Sequence, residues 1–165
     1  MTARPTFGLR PMLPADVPVL ADIYRASIEE LTGEDYNPMQ QDAWAAAADD
    51  EEAFAARLAQ RLTLLATLDG QAVGFAALKG PDHIDLLYVH PIAAGQGVAT
   101  TLCDALEKLA AGRNATRLTV DASDTALSFF EKRGYVAKQR NTVSCGGEWL
   151  ANTTMEKQLH KAAPQ

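Results

Sequence analysis

Gly95 and Gly97 stand one residue apart between an apolar run, His83 to Val89, and an amphipathic stretch that begins at Val98. That spacing suits the holding of a phosphate. Glycine lets the chain turn tightly with no Cβ in the way. A helix starting near Val98 then turns its unpaired N–H groups and positive dipole end toward whatever lies over the loop. An anion such as a pyrophosphate is the natural guest.

Two familiar phosphate sites fit poorly. A P-loop needs Lys-Ser/Thr closing the glycine turn, and Val98-Ala99 stand there instead. A dinucleotide-binding strand–turn–helix needs a third glycine where Thr100 lies, although Asp121 would suit the ribose position. Only one βαβ unit is visible, and an antiparallel hairpin precedes it. A dinucleotide-binding oxidoreductase fragment is therefore the remote alternative.

The remaining composition narrows the guest. The chain has 165 residues and a formal net charge of -6, which argues against nucleic acid as a partner. Cys103 and Cys145 are too few for a disulfide framework, and with His83, His90 and His160 they show no metal-ligand spacing, so no metal is expected. No apolar signal core or membrane-length run is present, and a cytoplasmic protein that does not engage membranes is expected. A single domain over 1–165 is the simplest organisation, with 161–165 a loose tail.

The elements that must position the loop follow from periodicity. Thr6 to Arg10 reads as a strand. Asp16 precedes a helix with Val17, Leu20, Ile23, Tyr24, Ile28 and Leu31 at helical spacing. Helices are expected at 39–48 and 51–61, the acidic run Asp49 to Glu52 suiting the first turn of the latter. Residues 63–68 and 71–78 flank Asp69-Gly70, a type I′ hairpin signal. His83 to Val89 adds a third strand, Val98 to about Ala111 a helix, and Arg117 to Asp121 a strand completing a right-handed βαβ crossover. A short helix over 124–132 and strands over 135–144 and 149–157 finish the chain.

This order of elements resembles the GCN5-related N-acetyltransferase (GNAT) family, and within it the bacterial YafP-like members. The residues that carry the resemblance are Val89-His90-Pro91, then Ala94-Gly95-Gln96-Gly97-Val98-Ala99, then Ala126, Phe129-Phe130, Glu131-Lys132, Gly134 and Tyr135. The resemblance implies an α/β (α+β mixed) fold, a central, mostly antiparallel mixed sheet with a βαβ acyl-CoA-binding unit and flanking helices. It implies acetyl-CoA as acyl donor and the primary amine of a small molecule or peptide as acceptor. The pyrophosphate would lie on Ala94, Gly95, Gln96, Gly97, Val98, Ala99 and Thr100, and the pantetheine along Leu87, Tyr88 and Val89. Ser123 and Phe130 complete the cofactor set. N–H groups near Leu87 and Val89 would polarise the thioester carbonyl.

The catalytic candidates are Asp85 as base, sharing a strand face with Leu87 and Val89 by alternation and raised in pKa by desolvation, and Glu30, with Glu29, as a second choice. Tyr88 or Tyr135 would supply a proton where the family often has Tyr and this chain has Phe130. Ala94 replaces the family's Arg or Gln, which removes a charge-assisted bond of about 1.5–3 kcal/mol. These two departures keep open a silent acyl-CoA-binding sensor as the alternative. Cys103, Trp44 and Trp149 are expected in the core. The exposed final strand offers an edge for a homodimer.

Overall fold

Seven strands form one mixed sheet in the order β1-β2-β3-β4-β5-β7-β6. The computed structural model describes residues 6–160, and the tail expected over 161–165 lies outside them. The strands are β1 (Gly8–Pro11), β2 (Leu62–Leu68), β3 (Gln71–Lys79), β4 (His83–Val89), β5 (Arg117–Ser123), β6 (Val136–Cys145) and β7 (Glu148–Gln158). The helices are α1 (Val17–Leu31), α2 (Pro38–Ala45), α3 (Glu51–Ala59), α4 (Val98–Gly112) and α5 (Leu127–Lys132). All pairings are antiparallel except that of β4 with β5. The final strand, β7, was expected to present an open edge but is enclosed between β5 and β6, so that edge belongs to β6.

The two faces of the sheet bury separate cores. On one, α4 sets Val98, Leu102, Cys103 and Leu106 against Ala76, Leu78, Ile84, Leu118 and Val120. On the other, α1 and α3 set Leu20, Tyr24, Ile28, Phe54 and Leu58 against Leu65, Phe75, Ala77 and Leu86. The β2–β3 hairpin turns through Asp69 and Gly70 with φ of 53 and 81, the left-handed pair that a type I′ turn demands.

Two expected helix starts are held by different local chemistry. Asp16 does not cap α1 with its side chain. Its carboxylate instead accepts from Leu13 N at 2.7 Å and pairs with Arg10 at 2.8 Å, closing the turn before the helix. Asp50 does cap α3, accepting from Ala53 N at 3.0 Å. The acidic run thus serves the helix start.

Alternation fails in β4. Ala77 pairs with Leu86 but Leu78 pairs with Ile84, so Asp85 is an extra residue on its strand, a β-bulge. Ile84, Leu87 and Val89 pack toward α4, whereas Leu86 and Tyr88 pack toward α1. Asp85 reaches α3, and the face it was expected to share with Leu87 and Val89 is not its own.

Gly74 on β3 decides how close α4 can come. A Cβ built there would lie 2.7 Å from Val98 Cγ1 and 3.1 Å from the Tyr88 carbonyl. Only glycine lets the first turn of α4 rest on the sheet at this point.

Candidate active site

β4 and β5 pair for only two residues, His83 with Thr119 and Ile84 with Val120. Past that point they part. His90 N donates to Val73 O at 2.8 Å, so by antiparallel alternation residues 86 and 88 also bond toward β3. The peptide groups of Leu87 and Val89 are thereby aimed at the opening beside β5. A strand edge with unspent N–H and C=O groups lines the gap.

α4 begins beside the same gap. Thr101 N makes the first backbone bond of the helix, to Gly97 O at 3.0 Å, which leaves the N–H groups of Val98, Ala99 and Thr100 without an intrahelical acceptor. Gly97 has no side chain to cap them, and both it and Gly95 hold left-handed backbone, φ 95 and 76. Donors and dipole converge as an anion requires.

A cavity of about 400 Å³ runs from this loop along the gap. Its walls include Leu87, Tyr88, Val89, Ala94, Gly95, Ala99, Ser123 and Phe130 from the expected set. Gln96, Gly97, Val98 and Thr100 stand outside its walls. Val98 is buried beneath the loop, and Gln96 folds back to donate to Ile92 O at 3.3 Å. Phe130, 2% exposed, packs edge-on against Phe129 and Tyr135.

A second cavity, about 320 Å³, opens on the α1–α3 face and shares Trp44, Ile84, Asp85, Tyr88, Asp121 and Ser123 with the first. Tyr24, Tyr36, Arg57, His83, Cys145 and Asn152 complete much of its wall. Tyr36 holds it together. Its hydroxyl donates to Ala151 O at 2.6 Å and accepts from Asp124 N at 2.9 Å, joining the loop after α1 to β7 and to the β5–α5 connection.

The catalytic candidates fare differently. Asp85 lies at the junction of the two cavities, bonded to Arg57 Nε and Arg61 Nε, each at 3.1 Å. Burial pushes its pKa up, but hydrogen bonds and charge from Arg57 and Arg61 outweigh it and hold the carboxyl below its ordinary range. The expected rise is thus reversed.

Tyr88 also borders both cavities. Trp44 Nε1 donates to its hydroxyl at 3.2 Å, and burial pushes its pKa up to about 12. Tyr135 is engaged elsewhere, donating to Glu107 at 2.9 Å in a cluster with Arg133 and Lys157 that ties α4 to β7. Glu29 and Glu30 are exposed and line neither cavity.

The aromatic and cysteine expectations divide as well. Trp44 is half-buried at the cavity junction, and Trp149, expected in the core, is 64% exposed on β7. Cys103 is buried, its thiol pushed up to about 12 by burial, as suits a packing residue. Sequence reasoning missed Arg57, Arg61, His83 and Tyr36. No local signal marks them, since their meaning comes from partners many residues away.

A mixed sheet splayed between two parallel strands, beside a glycine-opened helix, is the layout of the GNAT acetyltransferase fold. The model of the acetyltransferase (GNAT) domain matches residues 32–159. The uncharacterized N-acetyltransferase YafP of Escherichia coli is 33% identical over 147 residues, covering 89% of this chain and 93% of that protein. A GCN5-related N-acetyltransferase of Rhodopseudomonas palustris superposes with a TM-score of 0.94 at 66% identity, over 96% of this chain and 99% of that one. The PaiA N-acetyltransferase of Thermoplasma acidophilum, solved with coenzyme A, superposes with a TM-score of 0.77 at 18% identity, over 93% and 99%. The chain belongs to the GNAT acetyltransferase family.

Proposed function

We propose that the protein transfers an acetyl group from acetyl-CoA to the primary amine of a small molecule or peptide, by direct attack in a ternary complex, in the cytoplasm. The observation that carries this reading is the gap between β4 and β5, where a cavity running from the start of α4 through the gap meets a cavity on the α1–α3 face. One is suited to a long thioester and the other to its acceptor.

The donor's pyrophosphate rests on the free N–H groups of Val98, Ala99 and Thr100, and its pantetheine bonds the edge of β4 at Leu87 and Val89. The same N–H groups of β4 polarise the thioester carbonyl. With so much of the cradle made of backbone, the side chain lost at Ala94 weakens the grip without removing it. Phe130 and Ser123 wall the pantetheine channel.

Tyr88 donates a hydrogen bond to the departing sulfur. Its pKa, pushed up to about 12, lies above that of a thiol, about 8.5, so the hydroxyl steadies the thiolate and keeps its own proton. Asp85, held ionised by two arginines, has too little proton affinity for a base and instead orients Arg57 at the acceptor cavity.

Thermal unfolding with acetyl-CoA or with NADH, followed by thiol release over a panel of primary amines, tests this. A ligand at about 100 times its Kd stabilises by about 2.7 kcal/mol, a shift of several degrees. Stabilisation by acetyl-CoA alone, with amine-dependent thiol release, is expected. Stabilisation without turnover would make the protein a silent acyl-CoA sensor, and no stabilisation would sink both readings.

A further inference from the structure

We propose that His83 is the general base of the transfer, receiving the acceptor's proton at Nε2; this rests on the acetyltransferase reading above. The assignment starts from the cavity in front of the ring and the hydrogen bond that holds it from behind. His83 Nδ1 lies 2.7 Å from Thr119 Oγ1, and that hydroxyl lies 3.3 Å from the Asp82 carbonyl. A hydroxyl has one proton to give, and a carbonyl can only accept. The Asp82 carbonyl also accepts from Thr119 N at 2.9 Å; in the proposed arrangement the Thr119 hydroxyl shares that carbonyl and accepts from His83, with the imidazole hydrogen on Nδ1 and the lone pair on Nε2.

His83 borders the acceptor cavity, and its Nε2 lies 3.9 Å from Asp121 Oδ2. Asp121 is itself steadied by the Thr154 hydroxyl at 2.6 Å. A proton arriving at Nε2 creates an imidazolium beside a carboxylate. Ring, orienting hydroxyl and counter-charge all come from the two residue pairs where β4 and β5 still touch and from the row just beyond. The charged groups around the ring are Asp121 on β5, Asp82 and Asp85 along its own segment, Lys79 on β3 and Glu156 on β7 in its sheet row, and Arg57 on α3 across the cavity.

The step balances. One ammonium proton moves to Nε2, and the freed nitrogen pair attacks the thioester carbon. The C–N bond forms and the C–S bond breaks, its electron pair leaving on sulfur. The second nitrogen proton ends on that thiolate, and the imidazolium returns its own to solvent.

Three measurements on the full-length protein test this. Nitrogen-15 NMR of His83 at high pH is expected to show the Nδ1–H tautomer, and an Nε2–H tautomer would overturn the assignment. His83→Gln is expected to lower kcat about 10²–10⁴-fold toward the best amine of the thiol-release screen and to erase the acid limb of its pH profile. Toward hydroxylamine, which is already unprotonated at neutral pH, the loss is expected to be only a few-fold, and acetyl-CoA stabilisation is expected to persist. Equal loss toward both nucleophiles would mean a structural role and overturn the proposal.

Asp121→Asn, a second variant, is expected to lower kcat toward the amine and to leave the hydroxylamine rate within a few-fold, because the imidazolium loses its counter-charge; equal loss toward both nucleophiles counts against the base. Failure of every amine in the wild type sinks the acetyltransferase reading and the base with it. Turnover left intact by His83→Gln sinks the base alone.

Discussion

The two cavities meet at one gap yet are built in different ways. The donor side is largely a backbone construction, with free N–H groups at the start of α4, an unspent edge on β4, and apolar side chains that only shape the channel. The acceptor side is a side-chain construction, with Arg57, His83, Asp85, Asp121 and a group of tyrosines gathered from distant segments. Backbone chemistry is the same for every residue, so a donor site of the proposed kind would tolerate substitutions such as Ala94. Side-chain chemistry is specific, so under the proposed reading selectivity would lie in the acceptor cavity.

That contrast is sharpest at Gly74. Gly74→Leu would force a side chain into Val98 and the Tyr88 carbonyl, and overpacking of this kind costs about 1–3 kcal/mol or more. The variant is expected to unfold several degrees earlier and to lose stabilisation by acetyl-CoA. Retained stabilisation would break the claim that the donor site depends on how closely α4 approaches the sheet.

A smaller effect is expected from Asp85→Asn on the other side. Losing charge-assisted bonds to Arg57 and Arg61 costs about 1.5–3 kcal/mol near neutral pH, with donor binding little changed. Because the folded pKa of Asp85 is depressed, its contribution is whole above the unfolded value, about 3.9, and is lost as pH falls through the folded value. Denaturant titrations should therefore show wild type and variant converging below about pH 4. A gap that stays constant into acid would mean that the ion pairs are not its source.

The smallest effect is a gain. Ala94→Arg adds a guanidinium beside the exposed loop and is expected to tighten acetyl-CoA about tenfold, near 1.4 kcal/mol, by calorimetry. No gain would indicate that the anion does not lie over Ala94.

The same division explains what could be read in advance. β4 spans His83–Val89 and α4 starts at Val98, both as periodicity indicates, because strands and helices bury apolar residues at fixed intervals. The glycine loop was legible because a left-handed backbone demands glycine locally. Asp85 was not, since a bulge is decided by pairing with β3 and reverses the face that alternation assigns. Arg57 and Arg61, four residues apart, look like any solvated helix face until the sheet brings Asp85 to them. Trp149 was misplaced because β7 neighbours an edge strand, where its outward face has nothing to cover it.

Tyr36 carries a consequence for the order in which the molecule assembles. Its hydroxyl spans 115 residues to Ala151 and 88 to Asp124, closures that cost more chain entropy than any hairpin in the sheet. Most of the donor wall comes from one continuous stretch, Ile84 to Phe130, whereas the acceptor wall waits for the final hairpin. A chain emerging from the ribosome would thus be able to shape a place for the thioester before it has anywhere to put the amine, and selectivity would be the last property that folding confers.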